Sequence, residues 1–215
     1  MIAGGAAAWQ FALRDGVESA ATAPPGSPAA ATDSDDPRLA ERSIGRADAP
    51  VVVREFFSLT CGHCATFHRE TMPRVRSELV ETGKLRLVFH DFPLDQVALM
   101  AAMVARALPP ASYDPFVTAL LASQDRWAFA RGVNTTDELA KMAALAGLSR
   151  DAFNTAIADE TVKLAILKRR DEYSRTYGIE STPSFVFNGP AATNRREAGA
   201  RAFDDFARLV AQSAG

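Results

Sequence analysis

Cysteine is almost missing from this chain. Two in 215 residues exclude a disulfide-stapled scaffold, which needs several bridges. Excess positive charge is missing too: 24 Lys and Arg stand against 26 Asp and Glu, a net charge of −2, which argues against a nucleic-acid partner. The uncharged stretch near the start, "IAGGAAAWQFAL" at 2–13, falls short of the ~20 apolar residues that span a bilayer. No internal repeat is visible. What remains is ordinary for a globular protein: 47% hydrophobic and 23% charged residues, in a chain long enough to build a core without staples. The length fits one domain, or one domain with a large insertion.

The N-terminal stretch has the length of a signal-peptide core but no Lys or Arg before it. Residues 1–20 are read as the tail of an export signal or anchor whose start lies upstream, against the alternative of a disordered Ala-rich tail. "ATAPPGSPAAATDSDD" at 21–36 is too poor in apolar residues to fold, and residues 21–42 read as a flexible linker. The folded body is expected over 43–215.

Within that body, "APVVVREFFSL" at 49–59 is β-branched and aromatic and reads as a buried strand. Phe67, Thr71, Val75 and Leu79 then recur every four residues on one helix face, with a kink or restart at Pro73 and an end at Gly83. "KLRLVFHDF" at 84–92 alternates and reads as a second strand, closing a βαβ unit. A helical block follows, over about 94–178. Asp114-Pro115 is expected to start one of its helices, Thr135 and Glu138 to form a capping box, and Ser149 to cap another. "SFVFNG" at 184–189 is a strand, with a turn at Asn188-Gly189 into a poorly formed partner in 190–199. An amphipathic helix bearing Phe203, Phe206, Leu209 and Val210 ends the chain. The class is α/β.

The scarcity of cysteine makes its placement informative. Both residues lie in "FFSLTCGHCATFH" at 56–68, where a strand hands over to a helix. Free N–H groups and the positive dipole end of a first helical turn stabilise a thiolate. Cys61 at the helix start is therefore the expected nucleophile, and Cys64, one turn in and more buried, the residue that resolves a mixed disulfide. His63 would place positive charge or a donor near the sulfur, and Gly62 would give slack at the turn. Glu55, six residues upstream in an apolar run, is expected to be buried, reluctant to ionise, and able to take the proton of Cys64. Thr182-Pro183 stands just before a strand. A cis bond there would turn the Thr182 backbone toward the sulfurs and an extended substrate segment.

Cys-x-x-Cys after a strand, the upstream glutamate, the helical block and Thr-Pro before a hairpin together resemble the DsbA family of thioredoxin-fold disulfide oxidoreductases. "DAPVVVREFFSLTCGHC" and "IESTPSFVFNG" carry the likeness, which runs from about Ser43 to the C-terminus. It implies a thioredoxin fold with an inserted helical domain, a periplasmic or cell-envelope location, and reduced or misfolded exported proteins as substrates. It also implies reoxidation by a membrane-bound, quinone-linked oxidase. By position it implies Cys61 as the exposed nucleophile, Cys64 as its partner, His63 as the tuning residue, Glu55 as the buried acid and Pro183 as a cis-proline. No cofactor beyond the Cys61–Cys64 disulfide is expected, and a monomer is. Gly-His between the cysteines and Thr before the proline are isomerase-like choices, which leaves the direction of exchange open among oxidase, isomerase and reductase.

A metal-binding envelope protein is the non-enzyme alternative, with Cys61, Cys64, His68 and His90 as ligands. Three of these would crowd one short helix, in poor tetrahedral geometry. A purely structural disulfide is weaker still, because a two-residue loop constrains little of the unfolded chain. His68 is read as a surface residue, His90 as part of a loop, and Trp127 as an interface aromatic.

Overall fold

The computed structural model describes Met1 and residues 36–215; the export segment and most of the linker lie outside them. Five strands form one sheet in the order β1-β3-β2-β4-β5. Its centre is β2 (Val51–Phe57), parallel to β3 (Leu85–Asp91) and antiparallel to β4 (Ser184–Gly189). Phe185 and Phe89 flank Glu55 in register, and His90 pairs with Phe56. Strand side chains alternate between faces, so Val53, Glu55 and Phe57 share one face, and Arg54 and Phe56 the other.

After β2 the chain runs helically from Gly62 to Val80. It passes through α1 (Gly62–Thr66), a π-helical stretch (Phe67–Thr71), α2 (Met72–Val75) and a second π-helical stretch (Arg76–Val80). Pro73 at the second position of α2 explains the restart, since it offers no N–H to the turn before it. Phe67, Thr71, Val75 and Leu79 are all buried, as their spacing predicts. Gly83, at φ 75°, ends the run, and Lys84 N–H closes back onto the Leu79 carbonyl.

Between β3 and β4 lie α3 (Gln96–Ala107), α4 (Pro110–Ala122), α5 (Gln124–Trp127), α6 (Thr135–Leu145), α7 (Arg150–Ile157) and α8 (Glu160–Tyr177). Two expected boundaries move. The helix assigned to start at Asp114-Pro115 begins at Pro110, where a proline ring suits the first helical position, and Pro115 is carried inside it. Asp114 instead forms a two-pronged ion pair with Arg76, at 2.9 and 3.0 Å. The cap of α6 is Asn134, whose side chain accepts from Asp137 N–H, so Thr135 is the first helical residue. Ser149 caps α7 as expected.

Residues 37–42, read as the linker's end, are structured. Pro37–Leu39 forms a 3-10 turn, Leu39 is buried, and β1 (Arg42–Ile44) pairs antiparallel with β3. Side chains hold this segment in place: Arg106 donates to the Ala40 carbonyl at 2.7 Å while its Nε meets Asp91 at 2.6 Å, and Arg169 donates to the Leu39 carbonyl. The poor strand former in 190–199 is β5 (Ala192–Ala198), and the hairpin turns at Pro190-Ala191 rather than Asn188-Gly189. Gly189 belongs to β4, paired with Ala192, and must be glycine because α9 (Phe203–Ala214) runs against it: a Cβ there would lie 2.4 Å from the Ser213 carbonyl oxygen. Phe206 of α9 packs on Phe67, Phe185 and Phe187, joining helix and sheet in one aromatic core.

Candidate active site

β2 ends at Phe57, and a four-residue turn leads into α1. Cys61 N–H donates to the Ser58 carbonyl at 3.1 Å, and Cys61 stands at the N-cap of α1 with extended backbone. Its sulfur occupies the place a Ser or Asp oxygen usually takes in a cap. The Cys64 N–H points at that sulfur from 3.4 Å, and in the thiol form Cys61 donates to the Thr182 carbonyl at 3.3 Å. Cys61 is partly exposed, Cys64 is wholly buried, and both are free thiols.

The two sulfurs are driven apart electrostatically. A hydrogen bond from the Cys64 thiol brings Cys61 down to about 5, against the opposing effect of burial, and the backbone N–H of Cys64 at 3.4 Å adds to the lowering. Burial pushes the Cys64 thiol well up, reinforced by Cys61 and by the charge of Glu55. One sulfur of the pair is thus an anion at neutral pH and the other keeps its proton, which is the division that disulfide exchange requires.

The remaining expected residues fall as follows. Gly62 and His63 are exposed at the start of α1. The His63 backbone N–H is the least of the groups that lower Cys61, and its ring makes no hydrogen bond among the described residues. Slack at Gly62 is not needed: its φ is not positive, and a Cβ there would meet nothing within 4 Å. The Thr182-Pro183 peptide is cis and stands opposite Cys61. Glu55 is fully buried beneath the cysteine turn.

Sequence reasoning missed the partner of Glu55. His68 is not on the surface: it is buried, and its Nε2 lies 2.9 Å from Glu55 Oε1. The signal was the spacing, since His68 follows Cys64 by four residues and shares the buried face. His90 is not in a loop either. It is the sixth residue of β3, buried and stacked on Phe56 with ring centres 4.9 Å apart. Trp127 is buried in its own helical block, with Nε1–H donating to the Leu120 carbonyl at 2.8 Å. The four residues of the metal alternative therefore do not converge, and among the described residues no three His, Cys, Asp or Glu side chains are grouped to hold an ion.

The sequence family described as thioredoxin matches residues 38–208, most of the chain. The chain belongs to that family. Within it, the solved structure of alpha-DsbA1 from Wolbachia pipientis superposes with a TM-score of 0.74 at 28% identity, over 81% of this chain and 91% of the other. The protein is thus a DsbA-type thioredoxin-fold member. BdbD from Bacillus subtilis shares the fold, with a TM-score of 0.69 at 18% identity over 80% of this chain and 92% of its own. A Rickettsia typhi protein, provisionally named a protein-disulfide oxidoreductase, is 26% identical over 152 residues, which cover 70% of this chain and 56% of that protein. The matched region thus spans little more than half the length of that relative.

Proposed function

We propose that this DsbA-type protein is a thiol:disulfide oxidoreductase that introduces or exchanges disulfides in exported proteins through Cys61-Gly62-His63-Cys64. One observation carries the reading: a partly exposed sulfur at the N-cap of a helix, 3.4 Å from the Cys64 N–H and facing the cis Thr182-Pro183 peptide, beside a wholly buried second thiol. In the oxidising direction a substrate thiolate attacks the Cys61 sulfur of the Cys61–Cys64 disulfide. The electron pair of the broken bond leaves on Cys64, which is protonated from the buried Glu55 side. A second substrate thiolate then attacks the substrate sulfur of the mixed disulfide and expels Cys61. Cys61 leaves readily because its anion is already stabilised. Run backwards, Cys64 gives its proton to Glu55 as it resolves the mixed disulfide. The Thr182 carbonyl, freed when Cys61 has no thiol hydrogen to donate, is placed to receive a backbone N–H of an extended substrate segment.

Reduced or misfolded exported proteins are the proposed substrates, and a membrane-bound, quinone-linked oxidase the proposed source of reoxidation. The setting is the periplasm or cell envelope, and the working form a monomer. Residues 1–20 would serve as the export tail and the following segment as a linker to the folded body. Equilibration of the full protein with glutathione tests the reading. The expected result is a reversible two-electron titration at or above the roughly −180 mV of protein disulfide isomerase. A potential near the roughly −270 mV of thioredoxin would make it a reductase instead. Absence of any titration would remove the redox reading altogether.

A further inference from the structure

The turn that carries Cys61 is held from outside the cysteine motif. Gln124, the first residue of α5 in the helical insertion, is itself buried and directs its side-chain amide at this turn. Its Nε2 donates to the Leu59 carbonyl at 2.8 Å and to the Cys61 carbonyl at 3.1 Å. An amide nitrogen carries two hydrogens, and both are used on backbone flanking a single sulfur. The amide is aimed by a rigid corner. Trp127, one turn further on, is bolted through its indole N–H to Leu120 in α4, and the N–H groups of Ala128 and Phe129 both close onto the Gln124 carbonyl at 2.9 Å.

We propose that Gln124 is a positioning residue for the sulfur chemistry, through which the helical insertion sets the orientation and field of the Cys61 turn. The carbonyl of Cys61 belongs to the same residue as the reacting sulfur, and its negative end would oppose an anion if it swung toward it. Two donors keep it turned along the helix: the Ala65 N–H at 3.1 Å and Gln124. The same constraint leaves the Cys64 N–H directed at Sγ from 3.4 Å. The positive ends of the Gln124 amide add a fixed dipole beside the turn that needs no reorganisation when charge forms. The role rests on the thiol–disulfide reading and extends it: the insertion tunes the nucleophile as well as covering it.

The test compares wild type with Gln124→Glu and Gln124→Met in the full chain, reading the pH profile of Cys61 alkylation by iodoacetamide and the equilibrium potential against glutathione. Gln124→Glu keeps the length, removes both donors and adds negative charge, so its alkylation midpoint is expected to rise by about one unit or more. Gln124→Met removes the donors alone, and its midpoint is expected to rise by about half a unit. Both potentials fall in the same order. Folded variants with unchanged midpoint and potential would overturn the proposal, leaving Gln124 a packing residue. Should the variants not fold, the side-chain amide resonances of Gln124 in the wild type decide. They shift with the ionisation of Cys61 if the coupling exists, and a flat response sinks it. A wild type without a low-pH alkylation midpoint would instead defeat the underlying redox reading.

Discussion

The two faces of the central strands each bury a histidine, and the two are not alike. On one face Glu55 stands between Phe89 and Phe185, with His68 bonded to it and the cysteine turn close by. On the other, His90 lies against Phe56 and Tyr173, ring centres 4.9 and 4.6 Å away, and its Nε2 has no hydrogen-bond partner among the described residues. Burial, together with the nearby charges of Arg54, Arg106 and Arg169, holds His90 well below the ordinary histidine range, so it is a neutral aromatic filler. Burial alone therefore does not give a histidine a chemical role. A partner that exchanges protons, next to a group that must lose one, does. The comparison yields a rule for the two histidines: substitutions that break the Glu55–His68 pair are expected to change the chemistry, and those at His90 only stability.

The largest effects lie at the sulfurs, whose chemistry the first half of that rule concerns. Cys61→Ser is expected to abolish oxidation of a reduced dithiol peptide, while Cys64→Ser is expected to accumulate mixed disulfides, visible as non-reducing gel adducts. Equal and modest losses from both would erase the difference between them. Next comes His68→Leu, which strands the buried Glu55 carboxyl with neither of its oxygens bonded. A loss of roughly 2–4 kcal/mol in urea unfolding is expected. Resolution of the mixed disulfide by Cys64 should also slow, while the alkylation profile of Cys61 stays put. An unchanged resolution rate would show that the pair only fills space.

How much of this was readable beforehand follows from the range of the interactions. The Cys61-to-Cys64 turn and the strands around it are carried by short segments with their own patterns, and the helical run after Cys64 announces itself by spacing, whereas the cis bond at Pro183 is implied by the family resemblance alone. β1 does not, because Arg42-Ser43-Ile44 is too short to alternate and is held by pairing with β3 and by Arg106 and Arg169 from far along the chain. His68 reads as a surface residue, and Gln124 carries no local signal, for the same reason. The partner of His68 lies on another element, and Gln124 acts on a turn 63 residues away. Asp114-Pro115 reads as a helix start on local grounds alone, but Pro110 already takes the first position of α4 and Pro115 is carried inside it.

A smaller effect sharpens the sulfur side. Cys61 near 5 and Cys64 well above the thiol range predict a potential whose pH dependence changes slope once. Below about pH 5 two protons accompany two electrons and the potential falls by about 59 mV per pH unit; above it Cys61 is already ionised and the fall is about 30 mV per unit. The sign for stability agrees. The folded value lies below the free thiol's, so the thiolate's contribution to the reduced protein is fully present above about pH 8.5 and is lost as pH falls through about 5. A single slope from pH 4 to 8 would show that the sulfurs are not separated.

The smallest effect probes the other face. His90→Phe keeps an aromatic ring against Phe56 and removes a buried Nε2 that has no partner, so stability at pH 8 should change by no more than about 1 kcal/mol. The sign at lower pH is fixed by linkage. The folded value of His90 is depressed, so below about 6.5 the unfolded chain binds a proton that the folded one refuses, and wild-type stability falls with pH. The variant lacks that loss, and its stability relative to wild type should improve steadily as pH drops from 7 to 5. Its potential and its resolution rate should match wild type throughout. If His90→Phe slowed resolution as His68→Leu is expected to, the division between the faces would fail, and the proton path to Cys64 would have to cross the sheet.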